Sequence, residues 1–479
     1  MPIHDLLQAS WLPSAEAKPV TGGAKVLDHP RVYGTVALTA AFAAGILVTL
    51  GFKDCYPELE NRYQRRRNRN LSRSNGDFGV VVPTANRVHR ESLIFGPVRL
   101  EDHEEVTSNI NSSFDWVEGI EGCIGNTPLV HIRSLSEATG CIILAKAELL
   151  NGAGGSPKDR VALNMIQDAE ERGLLVPGRG DTIYEGTVGS TGISLATLAR
   201  AKGYKCHICM PNDMAIEKSQ LLHHLGATVE RVNPAPITSP DHFVNLARRR
   251  AREHEAAHGD GSVGFFADQF ESTANYTAHV KTTGPEIYRQ TGGQLDAFVA
   301  GAGTGGTIAG VAKYLKEEKN LWDTRVVLAD PQGSGLYNKI RHGVMYSSTE
   351  REGTRRRQQV DTIVEGIGIN RITENFESGR VLIDDAVRVT DEQACRMARW
   401  LVEHDGIFCG SSTAVNCVAA VVTAMKLPKG SRVVTLLCDS GNRHLSKFWK
   451  QIGDMGLEND TQAQAEDLFA ELGLEELKR

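Results

Sequence analysis

The chain has 479 residues, enough for two or three domains with a sizeable hydrophobic core. Its 53 Lys and Arg residues nearly balance its 59 Asp and Glu residues, and the net charge of −6 gives no support to nucleic-acid binding. Nine scattered cysteines, several of them in apolar segments, indicate reduced thiols of a cytosolic compartment rather than a disulfide framework.

The N-terminal part of the chain predicts a membrane anchor. Residues 1–31 are polar and mixed, which predicts a disordered tail. Residues 32–52 then carry no charge over 21 positions, the length of a transmembrane helix, whereas a signal peptide would be shorter and nearer the start. Six arginines between Arg62 and Arg73 predict that the C-terminal side faces the cytosol. They belong to a basic and polar linker over residues 53–113.

Residues 114–455 alternate strand-like apolar segments with helix-like segments, which is typical of parallel sheets covered by helices. The predicted strands are Cys141–Leu150, Thr182–Tyr184, Tyr204–Met210, Thr228–Val232, Asp296–Ala300, Val326–Asp330 and Arg432–Cys438. The predicted helices are Asp159–Arg172, Ile193–Lys202, Met214–Leu225, Asp241–Ala257, Asn275–Gln290, Thr307–Lys316, Asp391–His404 and Ser412–Met425.

Three further features are given no chemical role. Cys206 and Cys209 form a CxxC pair, but on a strand residues three apart face opposite sides, so no metal site is expected. Residues 342–360 form a charged loop. Residues 456–479 are acidic and predict a short packing helix, because four apolar residues recur at helical spacing: Leu468, Phe469, Leu472 and Leu477.

The most informative stretch is the glycine-rich loop Asn151–Pro157, which joins a predicted strand to a predicted helix and places Lys158 at the junction. Glycines allow the backbone to approach another group closely, and open α/β sheets bind ligands at such junctions. A desolvated lysine amine loses its proton readily and can form a Schiff base. The same segment would also suit an ordinary surface lysine at the start of a helix.

Two other loops also join a strand to a helix. The loop Gly303-Thr304-Gly305-Gly306-Thr307 would bind a phosphate through its N–H groups, and Thr187-Val188-Gly189-Ser190-Thr191-Gly192 suits a carboxylate. Together with Lys158 they describe pyridoxal phosphate with an amino acid. A rival interpretation is a nicotinamide site, since Gly301–Gly306 matches G-x-G-x-x-G and Asp330 ends the next strand. It does not account for the other two loops.

Besides these three loops, four further stretches match the motifs of a known family: Ile124–Leu129, Thr282–Ile287, Gly366–Gly368 and Gly406–Ala414. From Trp116 to Trp449 the chain resembles the cysteine synthase / cystathionine β-synthase family, pyridoxal-phosphate enzymes of fold type II. It is most similar to the membrane-anchored cysteine synthases of fungal mitochondria. The resemblance implies a homodimer at the outer mitochondrial membrane, with the catalytic unit in the cytosol. It also implies two open α/β domains with the cofactor between them, a smaller one of about residues 151–273 and a larger one of residues 114–150 and 274–455.

The resemblance implies a β-replacement that makes L-cysteine from O-acetylserine (or serine) and sulfide through an α-aminoacrylate. Lys158 would bind the cofactor aldehyde and act as the base. The other implied cofactor contacts are the phosphate loop, Ser190 at the ring oxygen and Ser412 at the pyridine nitrogen. The implied substrate contacts are Thr187, Val188, Gly189, Thr191, Gln269 and, at the pocket mouth, Gly366.

Two residues depart from the family pattern and keep alternatives open. Val188 replaces a usual serine and Ser190 a usual asparagine, which leaves the substrate and the rate undecided. One alternative is a sibling enzyme, namely cystathionine β-synthase, a serine dehydratase or a sulfide-releasing cysteine lyase. Another is a non-catalytic pyridoxal-phosphate-binding scaffold at a membrane. The third is a nicotinamide-dependent dehydrogenase.

Overall fold

The computed structural model describes residues 116–345, 362–457 and 467–478, so the predicted tail, anchor and linker lie outside the described residues. Within those ranges, no helix is both long enough and apolar enough to cross a membrane. The strands are β1 Leu129–His131, β2 Ile142–Ala147, β3 Thr182–Gly186, β4 Lys205–Pro211, β5 Thr228–Val232, β6 Gly264–Phe266, β7 Ala297–Gly301, β8 Arg325–Pro331, β9 Asp385–Val389 and β10 Arg432–Leu437.

The α-helices surround these strands. They are α1 Arg133–Thr139, α2 Lys158–Glu171, α3 Ser190–Lys202, α4 Ile216–His224, α5 Phe243–His258, α6 Ala274–Lys281, α7 Thr283–Thr291, α8 Gly306–Lys313, α9 Leu336–His342, α10 Glu374–Arg380, α11 Asp391–Asp405, α12 Ser411–Ala424, α13 Lys450–Asp454 and α14 Leu468–Glu471. The caps follow ordinary chemistry: α11, for example, begins with a capping box between Thr390 and Gln393 and ends at Gly406, whose φ is +68°.

The strands form two sheets. The larger sheet has the order β1-β2-β10-β7-β8-β9, and every neighbouring pair is parallel except β1 with β2. The smaller sheet has the order β5-β4-β3-β6 and is wholly parallel. All strands of the smaller sheet come from residues 182–266, between β2 and β7 of the larger one.

Helices bury both faces of the sheets, which explains why the strands are continuous apolar runs rather than alternating ones. In β7, for example, residues 297–300 are all buried. Helix α12 is buried along almost its whole length and packs against β7 and β10. An almost uniformly apolar helix such as α12 is stable in water only when other elements surround it.

Some predicted elements end elsewhere or divide. The predicted strand Cys141–Leu150 stops at Ala147, because a 3₁₀ turn over Glu148–Leu150 directs the Glu148 carboxylate into a buried ion pair. The single predicted helix Asn275–Gln290 is two helices, α6 and α7, that meet at Thr282. The reason is Pro285, which has no N–H for the carbonyl four residues earlier and crowds it.

Several short elements were not predicted, since three to seven residues give too little periodicity to recognise. These are β1, β6, β9, α1, α9, α10 and α13. The tail predicted to form a packing helix contains the short helix α14, followed by a 3₁₀ turn over residues 475–478. Three of its four apolar residues are buried against the larger sheet's core: Leu468, Phe469 and Leu472.

The eight cysteines in the described ranges are all free thiols. Cys206 and Cys209 face opposite sides of β4, as predicted, and belong to different hydrophobic clusters. The ligand atoms of His207, Cys209 and Glu230 lie within 4.8 Å of one another. However, Arg250 donates to both oxygens of the Glu230 carboxylate at 2.9 and 3.1 Å, so an ion pair accounts for this group.

Candidate active site

A cavity of ≈ 300 Å³ lies where strands of both sheets end, on the carboxyl side. Ten of the fourteen predicted site residues line it: Lys158, Thr187, Val188, Ser190, Thr191, Gln269, Gly303, Thr304, Gly366 and Ser412. The other four do not line it but belong to the two loops that border it: Gly189, Gly305, Gly306 and Thr307.

The glycine-rich loop before Lys158 folds around the chain's own carboxylate. The N–H groups of Gly154 and Gly155 both donate to Asp159, each at 2.8 Å, and Asp159 is fully buried. A Cβ on Gly154 would lie 2.5 Å from the Asp159 Oδ1 atom. The glycines are therefore needed for close packing at the start of α2, where Lys158 is the first residue.

A buried ion-pair network holds α2 in place. The Arg160 guanidinium donates to Glu148 at 2.8 Å and to Glu286 at 2.6 Å, and Lys146 Nζ lies 2.5 Å from Glu286. Burial alone would raise the pKa of Glu286, but the hydrogen bonds and charges of Arg160 and Lys146 bring it to about 2. Lys158, which faces the cavity, thus lies two residues before Arg160, which the buried ion pairs hold in place.

Lys158 itself is half-buried at the cavity wall. Burial lowers the pKa of its amine, although the nearby Cys438 and Asp439 oppose that shift. A lowered pKa leaves more of the amine neutral, which is the form that attacks a carbonyl.

The predicted phosphate loop is a tight turn into the first residue of α8. Gly305 has a φ of +85°, and a Cβ there would lie 2.5 Å from Cβ of Phe376. A Cβ on Gly303 would lie 2.2 Å from the carbonyl oxygen of Gly366, where a second loop closes over the first. The start of α8 therefore lies directly beyond the cavity-lining residues Gly303 and Thr304, and a helix start is an anion-binding end.

Two buried side chains that the sequence did not single out support this loop. The Asn275 amide donates to the Thr304 hydroxyl at 2.9 Å. The imidazole of His279 lies 3.1 Å from the Thr307 hydroxyl, and burial lowers its pKa well below the usual value, so the ring is neutral. Both residues lie on α6, and their side chains are inaccessible to solvent.

The predicted carboxylate loop leads into α3, which begins at Ser190. Gly189 has a φ of +145°, a conformation that favours glycine. The Thr191 hydroxyl donates to the Gln269 carbonyl oxygen at 2.6 Å, and the Gln269 amide donates to the carbonyl of Gly186 at 3.0 Å. Two predicted substrate contacts, Thr191 on α3 and Gln269 in the loop after β6, thus bond to each other through their side chains.

Ser412 lies near the start of α12 and is 6% exposed, at the cavity wall. The helix is preceded by Gly410 as its N-cap, so neither Ser411 nor Ser412 has that role. Ser411 instead accepts a hydrogen bond from the Glu365 N–H at 3.1 Å and so supports the loop of Gly366. Cys438 lies beside Ser412, and burial raises the pKa of its thiol to about 11.

The rival nicotinamide interpretation depends on Asp330, which would have to reach a ribose. Its carboxylate is fully buried and accepts a hydrogen bond from the N–H of Tyr337 at 2.7 Å. Asp330 therefore stabilises the start of α9 and does not line the cavity.

Comparison with known proteins agrees with this geometry. A profile of the family described as "Pyridoxal-phosphate dependent enzyme" matches residues 120–439. The chain belongs to this family of pyridoxal-phosphate dependent enzymes. Among its relatives, cysteine synthase 2 of Neurospora crassa is 97% identical over 454 residues, which cover 95% of this chain and all of that protein. Cysteine synthase 2 of Emericella nidulans is 59% identical over 91% of this chain and 97% of its own length.

The solved structures include O-ureido-L-serine synthase, with a TM-score of 0.59 and 30% identity over 74% of this chain and 99% of that one. The fold is thus the α/β fold type II of pyridoxal-phosphate enzymes, as predicted.

The residues around the cavity fit pyridoxal phosphate. Glycines in the loop before α8 leave a cradle beside a helix N-terminus, which suits the phosphate. The Lys158 amine, with its lowered pKa, suits the aldehyde, and the neutral hydroxyl of Ser412 suits the ring nitrogen. These three donors face one cavity, although they come from distant parts of the chain.

Several cavity residues of this pyridoxal-phosphate enzyme were missed by the sequence analysis. They are Lys218, Glu365, Cys438, Asp439, His444 and Lys447. One signal was available: Cys438 and Asp439 directly follow β10, and ligands bind where parallel strands end. For the others no local pattern existed, since they meet only through the fold.

Proposed function

We propose that this pyridoxal-phosphate enzyme makes L-cysteine by β-replacement, from O-acetylserine or serine and sulfide. The observation that carries the proposal is one cavity in which Lys158, the loop before α8, Ser412 and the carboxylate loop face each other. The name shared by relatives that match over more than nine-tenths of the chain supports the same reaction.

In this proposal the protein's own groups divide the work. Bound pyridoxal phosphate supplies an aldehyde and a ring that stabilises negative charge at the substrate α-carbon. Lys158 would hold the aldehyde, and its amine would take the α-proton of the substrate and later return it. Residues Gly303–Thr307 would hold the phosphate, and Ser190 and Ser412 would contact the ring. A neutral hydroxyl such as that of Ser412 would leave a pyridine nitrogen largely unprotonated, which favours loss of a β-substituent over transamination.

The substrate carboxylate is assigned to residues 187–191, with Gln269 holding that loop in place. The first N–H groups of α3 point out of the helix start, where an anion is stabilised. Because Gln269 bonds Thr191 at 2.6 Å, its role toward the carboxylate is to position the loop. Gly366 closes the cavity mouth against Gly303.

The test is product analysis with the purified, cofactor-loaded protein. O-Acetylserine, serine and cysteine are each supplied with and without sulfide, and the amino acid and sulfide products are measured. Cysteine formed only when a donor and sulfide are both present is the expected result. Release of sulfide from cysteine alone, or pyruvate from serine alone, would indicate a lyase or dehydratase instead. Bound cofactor without any product would indicate a non-catalytic binding protein.

The lysine assignment has its own test. Lys158→Ala should abolish the visible absorbance of the lysine-bound cofactor, because no other amine at the cavity is assigned to the aldehyde. Lys202→Ala, on α3 outside the cavity, is the matched control and should keep that absorbance. Retained absorbance in Lys158→Ala would refute the assignment.

We further propose that residues 32–52 anchor the enzyme in the outer mitochondrial membrane, with the catalytic unit in the cytosol as a homodimer. The uncharged 21-residue stretch and the arginines after it support the anchor. A Saccharomyces cerevisiae relative, 58% identical over 70% of this chain, carries the word mitochondrial in its name. The two-domain division at residues 151–273 belongs to the same set of proposals.

Fractionation tests the anchor. The full chain should remain with mitochondrial membranes after alkaline carbonate extraction, and residues 114–479 alone should be soluble and still load the cofactor. Loss of cofactor from the shorter chain would mean that the N-terminal region belongs to the catalytic fold.

A further inference from the structure

Five of the ionisable side chains that line the cavity without a role in the reaction proposed above form one cluster: Lys218, Glu365, Asp439, His444 and Lys447. Four of these side chains are at most 6% exposed, and only Lys447, at 34%, reaches solvent. Burying several charges at a cavity wall is costly unless they are paired or used.

His444 is the central member of this cluster. Its Nε2 atom lies 3.0 Å from Oδ2 of Asp439, within hydrogen-bond distance. Its Nδ1 atom lies 3.7 Å from Oε2 of Glu365, which is too long for a hydrogen bond. Within the described residues Nδ1 has no hydrogen-bond partner, although the side chain is only 2% exposed. Such an unsatisfied buried atom beside a cavity points to a missing ligand.

The Asp439 carboxylate decides the tautomer of the ring. Burial would raise the pKa of Asp439, but His444, Lys218 and Arg443 lower it overall, so the carboxylate is ionised. An ionised carboxylate only accepts, so Nε2–H donates to Asp439, and the base form of the ring has its lone pair on Nδ1. A base oriented by a carboxylate in this way is the usual arrangement of a general base.

This inference rests on the proposed function. In that reaction the incoming sulfide or thiol must lose its proton, because the thiolate is the nucleophile. Lys158 is not available as the base, since at that stage it holds the α-proton. We propose that Nδ1 of His444 is the base that takes the proton of the incoming thiol.

The step balances without any further reactant. The S–H bond breaks and its proton goes to Nδ1, while the sulfur electron pair forms the new bond to the substrate β-carbon. The α-carbon recovers its proton from Lys158. The proton on His444 leaves by way of Glu365, 3.7 Å away, whose other oxygen lies 3.2 Å from Nζ of Lys447 at the surface.

The charges that face His444 suit an anionic sulfur. Burial would raise the pKa of Glu365, but Lys218 and Lys447 lower it overall, so the carboxylate stays ionised between two cations. Asp439 and Arg443 complete the set of charged groups around the ring. Two lysines beside one carboxylate leave a positive potential at this wall, which attracts hydrosulfide and steers it toward Nδ1.

The experiment measures the two halves of the reaction separately by rapid-mixing absorbance. The donor alone is mixed with the loaded enzyme, and sulfide is then added in a second mix at several pH values. His444→Gln keeps a donor to Asp439 but has no base, and His444→Phe has neither. In both variants the donor step should change little, whereas the sulfide step should slow by about 100-fold near neutral pH, where much of the sulfide is still protonated and needs a base. The difference should narrow at alkaline pH, where hydrosulfide needs no base.

His223→Gln, at an exposed position on α4, is the matched control and should leave both steps unchanged. A wild-type enzyme without any donor step would overturn the proposed function. A normal donor step with an unchanged sulfide step and pH profile in His444→Gln would overturn the role of His444 alone.

A second readout is the position of the protons on the His444 ring, measured by NMR. In ¹⁵N-histidine-labelled wild-type protein, the His444 ring should show a protonated Nε2 and a bare Nδ1 nitrogen, with His444→Gln used to assign the signal. Addition of sulfide to the donor-treated enzyme should shift the Nδ1 signal. A protonated Nδ1 in the neutral ring would overturn the proposal.

Discussion

At the scale of single residues, the proposed chemistry depends on Lys158, whose burial changes its proton affinity. Burial lowers the pKa of Lys158, and its position as the first residue of α2 fixes the direction of its side chain. The sequence identified this lysine because glycines precede it at a predicted strand-to-helix junction. It could not show that Asp159 occupies the loop itself, which is why the glycines are required.

Ser190 is the residue at which a substitution tests the altered loop. Ser190→Asn should keep the cofactor but change turnover by about tenfold. The reason is that the longer Asn side chain would donate to the ring oxygen from its amide instead of from a hydroxyl. Ser190 begins α3, and its carbonyl already accepts from Ser194 at 3.0 Å, so the backbone should not move. Steady-state kinetics and the cofactor absorbance measure the two effects.

Ser190→Ala is the control for this substitution, because it removes the hydroxyl without introducing a longer side chain. If Ser190→Asn and Ser190→Ala have equal turnover, the side chain at this position does not contact the reacting groups. If Ser190→Asn loses the cofactor, residues 187–192 do not have the arrangement assigned to them.

At the scale of elements, the starts of α3 and α8 lie beside the cavity, and each follows a glycine with a positive φ, Gly189 and Gly305. Gly305 combines a φ of +85° with a Cβ position only 2.5 Å from Phe376. Gly259, at the end of α5, has a φ of +63° but open space around its Cβ position. Comparing alanine substitutions at Gly305 and Gly259 therefore separates the cost of the left-handed backbone conformation from the cost of the steric contact.

Gly305→Ala should therefore cost more than Gly259→Ala. We expect about 1–2 kcal/mol from the left-handed conformation in both variants. Gly305→Ala should lose a further 1–3 kcal/mol or so, because the new methyl group displaces α10. Urea unfolding measures the stability, and titration of pyridoxal phosphate into the apoprotein measures the affinity. Equal effects of the two substitutions on both quantities would contradict the packing argument.

The break between α6 and α7 places two residues that support the loop before α8, although the local sequence does not identify them. Pro285 ends the predicted helix early, and the resulting α6 directs Asn275 and His279 at the loop before α8. Neither residue carries a recognisable motif. Their contribution is to hold the glycine loop, and this follows only from where α6 lies.

At the scale of the whole molecule, the network of Lys146, Arg160 and Glu286 joins the start of α2 to β2 and α7. The pKa of Glu286 is about 2, below its ordinary 4.5, so its ionised form stabilises the fold. A lowered carboxylate pKa contributes stability above the unfolded value and loses it as pH falls toward the folded value. That contribution should therefore decline from pH 4.5 downward.

Glu286→Gln tests this contribution. At neutral pH the variant should be less stable by about 3–5 kcal/mol, since Arg160 and Lys146 lose their buried partner. Its stability should also fall less steeply than that of the wild type below pH 4.5. The measurement is the free energy of unfolding in urea as a function of pH. Asp454→Asn, in an exposed pair with Lys450, is the control and should change neither quantity measurably. Parallel pH profiles of Glu286→Gln and the wild type would contradict the role of Glu286.

The sequence by itself determined the fold class, the cavity lysine Lys158 and the three loops that border the cavity. These features are local: glycines, strand-to-helix junctions and hydrophobic runs can each be recognised within a few consecutive residues of the sequence. Only the tertiary structure decided that Thr191 bonds Gln269 and that His444 lies between Asp439 and Glu365. The physical reason is that parallel strands distant in the sequence end at one edge, so side chains with no shared pattern become neighbours there.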